Sequence, residues 1–264
     1  MPRLGFIELA NMSARKLAFV LSILALSPSG GALAQDMNFL TPNKVELLKV
    51  LPPPPPPNSE AQKEDVAAVL EVQKSRTPEI VKRAEADNVL SIWRYNDVLG
   101  PNFKAANLPV MDAFFRTMHA DARSLLSQTK DAWKRVRPAA ISSDVVPLGG
   151  QPRLPYGYPS GTTMFGHLTA IMLANMVPEK AFELYERSDQ YSRNRVVLGV
   201  HYPRDAVVGA QAAAVAAQAF FNTPAFLKEY EPARDELRRV LGYPAEPPSS
   251  KRPDDIPTGS VNTR

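Results

Sequence analysis

Apolar side chains recur along this chain at three- and four-residue spacing, and nowhere does an alternation of apolar and polar residues persist. The pattern is clearest from Val110 to Leu126, where Met111, Phe114, Phe115, Met118, Ala122 and Leu125 fall on one face of a helix. With strand signals this scarce, the expected fold class is all-α, a compact helical bundle. A chain of 264 residues, 44% of them hydrophobic, is long enough to bury a sizeable core in one domain.

The two ends are expected to stand apart from that body. Arg15 and Lys16 precede an apolar run from Leu17 to Leu26, followed by Ser27-Pro28-Ser29-Gly30-Gly31 and Ala32-Leu33-Ala34. A charged start, a short apolar middle and a small-residue cleavage site make residues 1–34 a signal peptide, cleaved near Ala34, whether translation starts at Met1 or at Met12. A periplasmic or secreted protein follows. Residues 35–58 form an extended, proline-rich N-terminal strap, since the six prolines Pro52 to Pro57 fix φ and donate no backbone hydrogen bond. Residues 59–241 are the helical domain. It opens with Ala67, Ala68, Leu70 and Val72 as candidate inner positions, and Thr77-Pro78-Glu79 then caps a helix running toward Trp93. The apolar stretches Leu168 to Val177 and Ala206 to Phe221 fall short of the roughly 20 residues a bilayer span requires. No membrane span is expected in the mature chain, and the proline-dotted tail 242–264 is expected to be disordered.

The composition narrows the chemistry. There is no cysteine, which removes disulfides and thiolate-bound metals. Only His119, His167 and His201 are available as imidazoles and no HExxH pattern occurs, so no metal and no cofactor are expected. The net charge of +4 is scattered among acids rather than gathered in a stripe, which disfavours nucleic acid as a partner.

Three short motifs remain. In Arg195-x5-His201-x3-Asp205, Pro203 lets a helix start just after the histidine. Asp205 is then placed to accept the Nδ1 proton and leave Nε2 free. In Lys130-x6-Arg137-Pro138, a helix would carry both cations on one face, two turns apart. In Pro159-Ser160-Gly161-Thr162, a capping hydroxyl and a glycine open a helix whose free N–H groups suit an anion. Taken singly, each has a plainer explanation: a helix-start histidine paired with a nearby acid, a solvated basic helix end, an ordinary cap.

Taken in chain order, Lys-x6-Arg-Pro, then Pro-Ser-Gly, then Arg-x5-His-x3-Asp, the three resemble the signature of the type 2 phosphatidic acid phosphatase superfamily, which also contains the vanadium haloperoxidases. The likeness is greater to the bacterial class A non-specific acid phosphatases, through the Leu-Pro-Pro-Pro-Pro segment followed by Asn58-Ser59, and Arg76-Thr77-Pro78 with Arg83-Ala84-Glu85-Ala86-Asp87. It runs from about Leu51 to about Phe221. The resemblance implies a helical bundle of that type and an acid phosphatase acting on small phosphorylated substrates without a metal. It makes His201 the nucleophile, oriented by Asp205. Lys130, Arg137, Arg195, the Ser160 hydroxyl and the Gly161 N–H would hold the phosphate. Whether the chain forms a homo-oligomer is left open.

Two residues depart from the family pattern. Asn194 stands where serine is usual, with little effect expected. Thr162 occupies the position of the general-acid histidine, and threonine cannot protonate a leaving alcohol near neutral pH. His167, five residues on, should face elsewhere on the helix, and His119 has no chemical partner at useful spacing. The expectation is a phosphatase that favours good leaving groups. The alternatives are a non-catalytic oxyanion binder and, less favoured, a vanadate-dependent haloperoxidase.

Overall fold

The computed structural model describes residues 39–40, 45–150 and 154–246. The expected signal peptide and residues 247–264 of the expected disordered tail lie outside the described residues. The described part is all-α and holds ten helices: α1 (Leu47–Val50), α2 (Glu60–Lys74), α3 (Pro78–Ala86), α4 (Asn96–Leu99), α5 (Pro109–Trp133), α6 (Pro138–Ile141), α7 (Gly161–Met176), α8 (Ala181–Val197), α9 (Pro203–Phe221) and α10 (Pro224–Leu241). No strand occurs among these residues; a single bridge joins Val136 to Tyr156.

The centre of the bundle is α7, which has no charged side chain and packs chiefly on α8 and α9. Two glycines set those approaches. A Cβ at Gly166 would lie 2.9 Å from the Tyr191 ring, and one at Gly209 would lie 2.6 Å from the Ser160 carbonyl oxygen. Around this centre the apolar face of α5, the alanine face of α9 and α10 complete one core, with Phe114, Phe220, Phe226 and Tyr230 in mutual ring contact.

Several expectations need adjustment. The inner face of α2 is Gln62, Asp65 and Val69, while Ala67 is exposed. Leu70 and Val72 do pack beside Val69 as expected, but apolar period alone misses the two polar residues that turn inward to a buried arginine described below. Thr77 does cap α3, accepting from Ile80 N at 3.3 Å, but that helix stops at Ala86 instead of running toward Trp93. Asp87, the residue at which it ends, is held by Arg187 through two hydrogen bonds. Likewise α5 ends at Trp133, where Lys134 turns left-handed at φ 47°. Arg137 is therefore extended before α6 and not on a shared helix with Lys130.

In the proline run, residues 52–56 form no helix or turn, and the one-turn α1 precedes them. Leu51 is buried at its start, and the Tyr158 hydroxyl donates to Pro52 O at 2.7 Å. Further upstream, Asp121 of α5 accepts from the backbone N–H groups of Phe39 and Leu40.

Candidate active site

The site forms where the start of α9, the start of α7 and the end of α8 meet the segment after α5. His201 is the last residue but one before α9, and Asp205 lies in its first turn. The carboxylate accepts from Tyr202 N at 3.1 Å, which holds the two side chains on the same side of the helix start. His201 Nδ1 lies 3.1 Å from Asp205 Oδ2, and Arg137 Nη1 lies 3.1 Å from His201 Nε2. A guanidinium only donates and a carboxylate only accepts, so these partners fix the tautomer: Nδ1 carries the proton and Nε2 offers its lone pair.

Burial drives the His201 pKa well below its ordinary value, and Arg137, Arg195 and Lys130 push it the same way. A neutral imidazole is the outcome. Gly157 walls this pair in: a Cβ there would sit 3.3 Å from Asp205 Oδ2 and 3.4 Å from His201 Nδ1.

Three cations face that ring. Lys130, buried, donates Nζ to Pro159 O at 2.8 Å and to Tyr156 O at 3.4 Å. Burial first, then Arg137, lower its pKa to about 8. Arg137 donates to the carbonyls of Val200 at 2.7 Å and Leu154 at 3.0 Å as well as to the imidazole. Arg195, on the last turn of α8, is held by the Asn88 side-chain oxygen, and its Nε is buried without a partner. Burial, seconded by Arg137, lowers its pKa to about 10. Charges of one sign gathered this closely, with an orphaned donor among them, are suited to an anion.

The α7 N-terminus closes the site. Ser160 caps the helix, its Oγ accepting from Thr163 N at 3.3 Å, and its own N–H donates to Asp205 O at 2.9 Å. Gly161 is the first helical residue, and Thr162 follows it, half-buried. The structure thus brings Lys130, Arg137, Ser160, Gly161, Arg195, His201 and Asp205 to one locality. The other two histidines are engaged elsewhere. His119 stacks on Phe165 and bonds Thr169 Oγ1 at 3.0 Å. His167 bonds Ser192 Oγ at 3.0 Å and Ser188 Oγ at 3.3 Å. Among the described residues, no cluster of three or more His, Cys, Asp or Glu side chains is spaced to hold a metal ion.

Sequence reasoning missed the residues behind the site. Asp205 Oδ1 accepts from Arg135 Nη1 at 2.7 Å, and Arg135 also binds Asp65 and Gln62 of α2. Asn194 has a larger role than its short polar side chain suggested. Its amide donates to Asp87 Oδ2 at 2.7 Å, so consecutive residues 194 and 195 of α8 meet consecutive residues 87 and 88 after α3. No local pattern in the sequence announces these pairs, whose members lie 70 to 107 residues apart.

No family model matches the chain. Among curated proteins it is similar to a non-specific acid phosphatase of Salmonella typhimurium, 38% identical over 80 residues, 30% of this chain and 32% of that one. An acid phosphatase of Zymomonas mobilis is 27% identical over 169 residues, 61% of this chain and 60% of its own. A non-specific acid phosphatase of Providencia stuartii is 25% identical over 236 residues, 83% of this chain and 93% of its own. The chain therefore spans less than two thirds of the first two relatives and nearly all of the third.

Proposed function

We propose that this chain is an exported phosphoric monoester hydrolase, an acid phosphatase that works through a phosphohistidine and needs no metal. The observation that carries the reading is the His201 ring, tied through Nδ1 to a buried carboxylate while Nε2 meets Arg137, with Arg195 and Lys130 near enough to act on the ring electrostatically. Similarity to the bacterial acid phosphatases supports the same activity, and the leader-like N-terminal sequence supports export.

In this scheme the phosphate oxygens of a monoester displace Arg137 from Nε2 and take hydrogen bonds from Lys130, Arg137, Arg195, the Ser160 hydroxyl and the Gly161 N–H. His201 Nε2 attacks phosphorus; the N–P bond forms as the P–O ester bond breaks, and the departing oxygen takes the electron pair. Asp205 balances the charge that appears on the ring. Water then cleaves the N–P bond, releasing inorganic phosphate and the free imidazole. Phosphoryl transfer through a loose transition state asks mainly for alignment and charge neutralisation, which this donor set supplies.

What the site lacks at Thr162 is a proton for the departing oxygen. Loss of a general acid costs about 10²- to 10⁴-fold where the leaving group needs protonation. Aryl, acyl and pyrophosphate groups leave as stable anions, so p-nitrophenyl phosphate should be hydrolysed readily and glycerol phosphate slowly. Vanadate should inhibit, and His201→Ala should abolish turnover. Equal rates on the two esters would refute the leaving-group preference, and an unimpaired His201→Ala enzyme would refute the nucleophile. Thr162 also favours a second reading, an oxyanion binder without turnover. That protein would bind phosphate and vanadate while releasing no phosphate from either ester.

A further inference from the structure

Asp205 is completely buried, and its partners are divided between its two oxygens. Oδ2 takes the Tyr202 N–H and the His201 ring, while Oδ1 takes Arg135 Nη1 at 2.7 Å. The same guanidinium turns Nη2 to Asp65 Oδ2 at 2.6 Å and to Gln62 Oε1 at 3.1 Å. Its Cζ lies 4.1 Å from the centre of the Tyr202 ring and 5.6 Å from that of Tyr158. Arg135 is buried, and its two terminal nitrogens are taken by Asp205, Asp65 and Gln62.

The geometry points to Arg135, anchored by Asp65 and Gln62, as a positioning residue that keeps Asp205 ionised and so holds the His201 ring in the tautomer with Nε2 bare. This inference rests on the phosphohistidine reading for its catalytic meaning, but its physical content concerns the ring alone. A carboxylate without solvent takes up a proton readily. Burial raises the Asp205 pKa to about 6, and Arg135 is the foremost opposing influence, ahead of the Tyr202 N–H and Lys130. Once protonated, Asp205 no longer accepts from Nδ1 and can donate to it instead. The proton would then sit on Nε2, where attack is impossible.

The charged groups around this pair are few. From α2 there is Asp65, from α9 Arg204, whose Nε lies 3.2 Å from Asp65 Oδ1, and from the site itself Lys130, Arg137 and Arg195. Of these cations and Arg135, only Arg135 hydrogen-bonds the Asp205 carboxylate. A bidentate fork is required to bridge two carboxylates, which lysine cannot do in one plane.

The test reads the ring directly. With only three histidines in the chain, 15N-labelled imidazoles can be resolved by NMR across pH 5 to 8 in the intact protein, His201→Ala supplying the assignment. In the unaltered chain, His201 should show Nδ1 protonated and Nε2 bare near pH 7. In Arg135→Gln, the Nε2–H form should appear, and the pH at which the ring changes state should move up by about one unit or more, the size expected for losing an adjacent opposite charge. Arg135→Lys should restore the original tautomer in part. A wild-type tautomer and titration in Arg135→Gln would overturn the inference.

Should that variant not fold, Asp65→Asn reads the same linkage from the other side. Removing the competing carboxylate should shift the ring transition downward, and an unmoved transition would count against the role. Turnover separates this from the functional reading. If the unaltered chain hydrolyses no phosphate ester, the proposed activity fails while the tautomer result stands. If it is active, the acid side of the Arg135→Gln rate profile should move with the NMR transition, whereas a merely structural residue would lower the rate evenly at every pH.

Discussion

Thr162 is the residue on which rate should depend most selectively. It stands in the first turn of α7, one position beyond Gly161, the position that the resemblance assigns to the general acid. Thr162→His should raise the rate on glycerol phosphate by about tenfold or more and change the rate on p-nitrophenyl phosphate much less. Lys130 sets the alkaline side of the profile. With its pKa lowered to about 8, it is charged below that pH and neutral above it. Phosphate and vanadate affinity should therefore fall as pH rises through 8, and Lys130→Arg should carry the affinity to higher pH, as competition titrations would show. Asn88 orients Arg195. Removing a hydrogen bond to a charged group costs about 1.5–3 kcal/mol, so Asn88→Ala should weaken vanadate inhibition about tenfold or more. His201, Asp205, Lys130, Arg137 and Arg195 were legible in the sequence because their spacings form a recognisable order. Asn88 and Arg135 were not, because their partners lie 107 and 70 residues away and no local pattern announces such pairs.

Among the elements, the seam between α7 and α9 brings the N-terminus of α7 to the start of α9, where His201 and Asp205 lie. Gly209 lets α9 touch the Ser160 carbonyl, and a Cβ there would lie 2.6 Å from that oxygen. The obstacle is backbone and cannot rotate away. Gly209→Ala should cost about 1–3 kcal/mol of stability in denaturant unfolding and loosen anion binding along with it. Helix identity was largely legible: the Thr77 cap, the α7 start at Gly161 and the α9 start at Pro203 all follow from local signals. Helix ends were less so. At the stop after Ala86, Asp87 is held by Arg187, 100 residues distant, and the stop at Trp133 coincides with a left-handed Lys134, a conformation lysine does not advertise. Part of the inner face of α2 was missed for the same reason, since Gln62 and Asp65 turn inward to an arginine 73 and 70 residues away.

Across the whole molecule, the all-α class could be read from the absence of alternation, and among the described residues no helix is long and apolar enough to cross a membrane. The proline run and its tie to the body belong to this scale. Tyr158→Phe removes the hydroxyl that holds Pro52 O, yet keeps the ring beside Arg135 and Trp133. It should lower stability by about 1 kcal/mol while leaving the His201 tautomer unchanged, a combination that separates tethering from charge control. The meeting of residues 87 and 88 with residues 194 and 195 has a further consequence for how the protein comes into being. Secondary structure can form from neighbours in the chain, but the proposed anion site needs distant segments to arrive together. During refolding, the capacity to bind vanadate should return later than the circular-dichroism signal of the helices, which would make the ligand a timer for the last step of assembly.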